Sequence, residues 1–270
     1  MIEEGININE QESFFKKNNN ISVERDENKA LKRIDFLDRR CYQRFEGVYY
    51  PSVTSILSAM PADPFFLQWM AEVGKNADII RDKAAREGTQ VHEGIEHLLK
   101  GEKLEWVNGF GEAKYNLNVW KMLLRFQDFY NLVKPVTLAS ELFLYSDKYK
   151  YAGTTDYLCQ VGDEKWLIDF KTSNHISIAY NLQLSAYGKA LEEMKKIKAD
   201  RHAVLWLKAS TRSQKFDPKK GICQGEGWQL IFDPDPAKSF EIFEHVYAIY
   251  RTLNPKIEPY TRSYPTEILL

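Results

Sequence analysis

The sequence predicts an α/β protein with a mixed central β-sheet flanked by helices. Three observations carry that expectation. Two β-rich runs, 151–161 and 164–171, are separated only by Gly162-Asp163, which reads as a hairpin turn. A helical stretch at 176–198 follows them, and after it comes a short apolar strand at 203–207. Long helical stretches precede the strands, at 78–100 and at 112–132, the second ended by Pro135.

Taken in order, residues 1–30 are rich in Asn, Glu, Lys and Gln. They offer few apolar anchors (Phe14, Phe15, Ile21) and are expected to form a poorly ordered tail. Residues 33–53 alternate enough for a hairpin, around Arg39-Arg40 and Glu46-Gly47. A short helix begins at Val53 and stops at Pro61, and a second covers 65–73. In the long helix 78–100, Gly88 is expected to bend or break the rod, because glycine weakens a helix interior. Strands are expected at 138–146, 151–161 and 164–171, then the helix 176–198 and the strand 203–207. The polar, glycine- and lysine-containing stretch 208–225 reads as a loop. An edge strand at 227–232 and a helix at 235–253 complete the chain. The expected organisation is one domain over 31–270. It comprises a hairpin with helices (31–135), a sheet core (136–232), and a final helix with its tail (233–270). No internal repeat or low-complexity tract is visible.

The chemistry concentrates between Gly153 and Tyr187. With a period of two, Leu167, Asp169 and Lys171 share one face of their strand, and Trp166, Ile168 and Phe170 share the other. The hairpin brings Asp156 beside Asp169, and Gly153 permits close backbone approach there. Two carboxylates and an ammonium on adjacent strands can hold a hard divalent cation against a phosphate, which points to phosphodiester hydrolysis. An Asp-x-Lys on a strand reads by itself as a solvated ion pair. Asp156 shifts that balance, as do Gln183 and Tyr187, one helical turn apart on one face. Upstream, His92 and Glu96 share a face of the long helix. His92-Glu93 is followed by a histidine only at His97, one residue too far for the HExxH zinc motif.

Gly88-Thr-x-x-His92, Glu141, Gly153-x-x-Asp156, Asp169-Phe-Lys171-Thr172 and Gln183-x-x-x-Tyr187 together resemble the PD-(D/E)xK nuclease superfamily, and within it the RecB-like exonuclease branch. Tyr50-Pro-Ser-Val-Thr-Ser-Ile-Leu57 resembles a leading segment of the mitochondrial genome maintenance exonuclease and related phage exonucleases. The resemblance spans 45–210. It departs from the pattern at Thr155, where a proline often precedes the first acid, and at Asp169, where many members carry Glu.

The resemblance implies a restriction-endonuclease-like core with an N-terminal helical arch over the sheet. It implies metal ligation by His92, Asp156, Asp169 and the Phe170 carbonyl, with Mg²⁺ or Mn²⁺ as cofactor. Lys171 would position or activate water. Gln183, Tyr187, Thr172, Arg86 and Thr54 would bind DNA or brace the site, with Glu141 and Glu96 in supporting positions. The partner implied is DNA, single-stranded favoured, cut from an end, in repair or recombination. An endonuclease acting on branched or duplex DNA, and a non-catalytic nucleic-acid-binding protein on the same fold, remain open beside it.

Composition agrees. Of 270 residues, 44% are hydrophobic and 28% charged, enough for a sizeable core. No apolar run approaches the roughly 20 residues that span a bilayer. The start, Met1-Ile-Glu-Glu-Gly5, is polar, so no membrane association is expected and a cytoplasmic location is (host cytoplasm for a phage protein, an origin the compact layout suits). Cys41, Cys159 and Cys223 are too few for a four-cysteine iron–sulfur cluster and read as reduced thiols. A net charge of −1 argues against coating duplex DNA by bulk charge, so affinity must come from a local groove. Arg81, Lys83 and Arg86, ahead of His92, are candidates for it, and exposed aromatics could stack on unpaired bases. No phosphate-cradling GxxxxGK[ST] or GxGxxG occurs.

Overall fold

The computed structural model describes residues 21–25, 31–36 and 39–257. Two sheets organise them. An antiparallel meander of β1 Ile21–Arg25, β2 Lys32–Phe36, β3 Arg39–Phe45 and β4 Val48–Pro51 forms the smaller. The expected hairpin is its β3–β4 part, and β1 occupies sequence that was expected to be tail; residues 1–20 and 26–30 lie outside the described residues. Helices α1 Val53–Leu57, α2 Pro64–Val73, α3 Ala77–Leu99 and α4 Leu117–Val133 follow. Each start that matters here is built from a polar cap: Ser52 accepts from the Ser55 amide at 2.9 Å, and Asn116 from the Val119 amide at 2.9 Å. Lys134, left-handed at φ 50°, ends α4 before Pro135.

The large sheet is mixed and open, in the order β5-β6-β7-β8-β11-β10-β9. Its members are β5 Val136–Ser146, β6 Tyr151–Val161, β7 Glu164–Lys171, β8 Arg201–Trp206, β9 Lys215–Asp217, β10 Ile222–Gly225 and β11 Trp228–Phe232. Only β7 and β8 pair in parallel, and helix α5 Ile178–Lys195 connects them, as a parallel crossover requires. Helix α6 Pro236–Leu253 packs beside α5. The 227–232 strand is therefore internal, not an edge: the sequence read as the 208–225 loop folds back as β9 and β10 and covers it.

The period of two in β7 divides the core as the sequence predicts. Trp166, Ile168 and Phe170 face a cluster with Val91, Ile95, Phe126 and Phe129 from α3 and α4. Leu167 faces the opposite cluster, with Leu182, Leu184, Phe243 and Tyr247 from α5 and α6. Much of the expected arch is thus a packed layer, since α3 and α4 bury an apolar face on the sheet. By contrast, α2 has no buried residue. Gly88 does not bend α3, which runs unbroken through it; its missing side chain lets the helix approach Thr172, whose Oγ1 would lie 3.1 Å from an added Cβ. The small sheet docks through Leu31, Tyr42 and Tyr50 onto Ala152, Phe143 and Tyr145. Among the described residues, no helix is long and apolar enough to cross a membrane.

Candidate metal centre

The site forms where the sheet opens. The β6–β7 ladder ends at Tyr157 opposite Ile168, one residue short of Asp156 and Asp169. Beyond it, β6 stays with β5, and the freed Phe170 amide donates to Asp156 Oδ2 at 2.7 Å. A side-chain acceptor replaces a strand carbonyl, which satisfies the buried N–H and fixes the carboxylate at the mouth of the opening.

Two further acids-and-bases arrive from either side. From α3, His92 brings Nδ1 to 3.6 Å from Asp156 Oδ1 and Nε2 to 3.1 Å from the Phe170 carbonyl. From β5, Glu141 enters with φ 48°, a left-handed conformation that a non-glycine residue adopts at a cost of about 1–3 kcal/mol. It stands opposite Asp156 in the β5–β6 ladder, between the pairs Ser140–Tyr157 and Leu142–Thr155. His92, Glu141 and Asp156 each place one ligand atom within 4.8 Å of the others. Their protonation reflects this crowding. Burial and the facing Asp156 push Glu141 up to about 7. Burial opposes charge on His92, but Asp156 and Asp169 outweigh it and raise the ring to about 9. Burial alone would also raise Asp156, yet His92, Lys171 and the Phe170 amide hold it below the usual carboxylate range.

The donor set fits a divalent cation. One imidazole and two carboxylates converge, and burial, reinforced by the repulsion between the two carboxylates, raises Glu141. A bound cation relieves that repulsion.

Asp169 stands outside this group of three. It is buried, its Oδ2 is 2.6 Å from Lys171 Nζ, and its Oδ1 accepts from Gln183 Nε2 at 3.1 Å. Burial pushes its pKa up and Lys171 only partly offsets that. Burial lowers Lys171, but Asp169 and Asp156 more than restore it, so the ammonium is retained. Gln183 Oε1 also takes a bond from Lys171 at 3.3 Å, and its amide nitrogen reaches the Tyr187 hydroxyl at 3.2 Å. The Tyr187 ring packs against Gly153, where any Cβ would collide with it.

Of the residues singled out in the sequence, His92, Asp156, Asp169, Phe170, Lys171, Gln183 and Tyr187 form this one network, and Thr172 meets the α3 helix beside it. Glu141, expected only in support, is one of the converging ligand groups. Glu96 lies near enough to raise Glu141 but is paired with Lys100 at 2.6 Å. Thr54 bonds Ser52 at 3.0 Å and Arg86 is exposed on α3; neither contacts the network among the described residues. Arg81 is held by Asp78 and Asp82. Tyr180 was missed: Lys171 Nζ sits 4.7 Å from its ring centre. The spacing Tyr180-x-x-Gln183-x-x-x-Tyr187 was the available signal, since it places all three on one helical face.

No protein-family model and no curated protein matches the chain. Among solved structures it is similar to the protein SSO0001, at 16% identity over 73% of this chain and 75% of that one, with a TM-score of 0.33. It is also similar to a protein from Eubacterium rectale described as a candidate exonuclease, at 12% identity over 68% and 77% of the two chains, with a TM-score of 0.40. Likenesses this distant leave the chemistry of the site to rest on its own geometry.

Proposed function

We propose that this protein is a metal-dependent nuclease of PD-(D/E)xK type that hydrolyses phosphodiester bonds in DNA. One observation carries the reading: the convergent His92, Glu141 and Asp156 lie beside a buried Asp169–Lys171 pair at the open end of one hairpin. His92, Glu141 and Asp156 would hold the cation, with the Phe170 carbonyl beside His92 and Asp169 completing the anionic wall. The ion proposed is Mg²⁺ or Mn²⁺; oxygen-rich sites suit both, and Mn²⁺ accepts the imidazole well. Such an ion supplies positive charge against the phosphate and acidifies water. The protein does the rest. Lys171, kept charged by Asp169 and aimed by Gln183 and Tyr180, offers an ammonium to the charge that grows on the phosphoryl oxygens. Tyr187 and Gly153 lock Gln183 in place.

Within that class we favour an exonuclease of the RecB-like branch acting on single strands. Support comes from the order and spacing of the motifs, from the Tyr50–Leu57 segment, and from a net charge too small to grip duplex broadly. The test is direct. End-labelled linear and circular single strands, and duplex, are incubated with the protein and Mg²⁺, Mn²⁺ or EDTA, and the products resolved. Shortening of the linear single strand alone, abolished by EDTA, is expected. Early internal fragments from the circle would assign an endonuclease instead. Binding without cleavage in any metal would assign a non-catalytic DNA-binding protein.

A further inference from the structure

We infer that the rim made by Lys208, Arg212 and Lys215 is the track that carries the phosphates of a polynucleotide strand away from the metal centre; the inference rests on the nuclease reading above. The stretch 207–216, Leu-Lys-Ala-Ser-Thr-Arg-Ser-Gln-Lys-Phe, holds three cations and no acid in a chain whose net charge is −1. The topology decides where they stand. Strands β7 and β8 are parallel, so Lys171 and Trp206 end at the same edge of the sheet, and the Leu207 amide bonds the Lys171 carbonyl at 2.9 Å. Lys208 therefore stands two residues past the end of the strand neighbouring Lys171.

From there the chain crosses the ends of β11 and β10 and enters β9 at Lys215, opposite Gln224. It does not wander on the way. The Gly227 amide bonds the Thr211 carbonyl at 2.9 Å, and Thr211 Oγ1 donates to the Gly225 and Trp228 carbonyls. Gln224 bonds the Ser213 carbonyl at 3.2 Å, and Arg125 bonds the Leu207 carbonyl at 2.7 Å. The backbone that carries the three cations is thus held along a line that spans four strand spacings, roughly 19 Å, from Lys171 outward. Arg212 and Lys215 are exposed, Lys208 half-buried, and none makes an ion pair among the described residues. A row of cations on an anchored backbone, leading from a phosphate-cutting site, matches a polyanion and little else.

The fold also supplies a control. Strand β9 runs down to Asp217, so Lys219 and Lys220 lie at the opposite edge, where Arg201 bonds the Pro218 carbonyl at 2.8 Å. Lys219 has the same chemistry as the rim lysines and the wrong position, and Lys220 beside it is paired with Asp217 at 3.4 Å.

The experiment measures binding of fluorescein-labelled oligothymidylate by anisotropy in EDTA, across a range of NaCl. It compares wild type, Lys208→Gln/Arg212→Gln/Lys215→Gln, and Lys219→Gln/Lys220→Gln, with melting curves confirming that each is folded. The rim variant is expected to bind more weakly, with a salt slope shallower by about 2, since three contacts to a single strand contribute about 0.7 each. The control pair is expected to keep the wild-type slope. Equal slopes for rim and wild type, or an equal loss in the control, overturn the track. So does a rim variant that loses labelled polyglutamate but not the oligonucleotide, which would assign the surface to an acidic protein. Cleavage of the same oligonucleotide in Mg²⁺ by wild type is read separately: cleavage with an unchanged rim slope overturns the track alone, whereas neither binding nor cleavage overturns both readings.

Discussion

Two histidines, one half-buried and one buried, show how this fold separates a site from a core. His92 projects from α3 toward Asp156, Glu141 and Asp169; burial opposes its charge, but Asp156 above all, with Asp169, raises it to about 9. His202 sits in β8 against Gly188, and burial lowers it to about 4, with Asp233 opposing only weakly. The residue type is the same and desolvation acts on both in the same direction. What differs is the company: three carboxylates at the open end of the sheet, against one at a closed seam. Where negative charge is collected beyond what packing needs, the chain has built a place for a cation. His92 is the more exposed of the two, yet burial lowers both, so the carboxylates set the sign of its shift and the contrast can be broken by changes that leave burial alone.

The largest expected effect is on the charged network at the open end. Asp156→Asn and Lys171→Gln should each lower cleavage by roughly 10³-fold, the scale seen when a preorganised charge is removed from a transition state. Lys171→Gln should nevertheless fold. Losing a partner from a buried pair normally costs several kcal/mol, but burial already raises Asp169 to about 6, so without the ammonium beside it the carboxylate can take up a proton and neutralise. Retention of near wild-type turnover in Lys171→Gln, measured on labelled oligonucleotides, would remove the site from this end of the sheet.

Two glycines then separate packing from function. A Cβ on Gly153 collides with Tyr187, and one on Gly188 collides with His202. Each alanine substitution should destabilise by about 1–3 kcal/mol, the usual result of overpacking. Only Gly153→Ala should also slow cleavage per folded molecule, because Tyr187 carries Gln183 and Gln183 carries Lys171. Equal activity losses in the two variants, measured well below both melting points, would show that the Gln183–Tyr187 brace is merely structural.

How much of this was legible in the sequence follows from what kind of fact each piece is. The faces of β7 obey a period of two, and the juxtaposition of Asp156 and Asp169 just beyond the ladder's end needs only a two-residue turn, so both could be read directly. The helices were found within a few residues because their caps and prolines are local signals. Glu141 could not be placed, since its role depends on a left-handed backbone in mid-strand that no local residue announces. Nor could β9 and β10: their three and four residues are too short and polar to show a period, and they exist because β11 offers an edge to pair. Gly88 misled for a related reason. Its helix penalty is real, but packing of α3 on the sheet outweighs it, and the glycine serves approach to Thr172.

Acid should expose the closed seam. His202 binds its proton more readily when unfolded, near pH 6.5, than when folded, near 4. Between these values the unfolded state holds more protons, so stability falls as pH falls through the window, by roughly 3 kcal/mol in all. His202→Gln should flatten that limb in denaturant titrations from pH 7 to 4. An unchanged limb would mean that His202 is charged in the fold and that the contrast with His92 is false.

The smallest signal is also the one that speaks most directly to the metal. In the metal-free protein His92 and Glu141 hold protons up to about 9 and about 7. A cation bound between them needs the neutral imidazole and the ionised carboxylate, so it must displace those protons. Raising the pH from 7 to 9 removes them beforehand, so affinity for Mn²⁺ should climb over that interval, and calorimetry in buffers of different ionisation enthalpy should register about one proton released per ion near pH 8. His92→Ala should remove that release and weaken Mn²⁺ binding, while His202→Gln, remote from the carboxylates, should change neither. Release of no protons by wild type, or its persistence in His92→Ala, would place the cation elsewhere and leave the raised histidine as an ion pair alone.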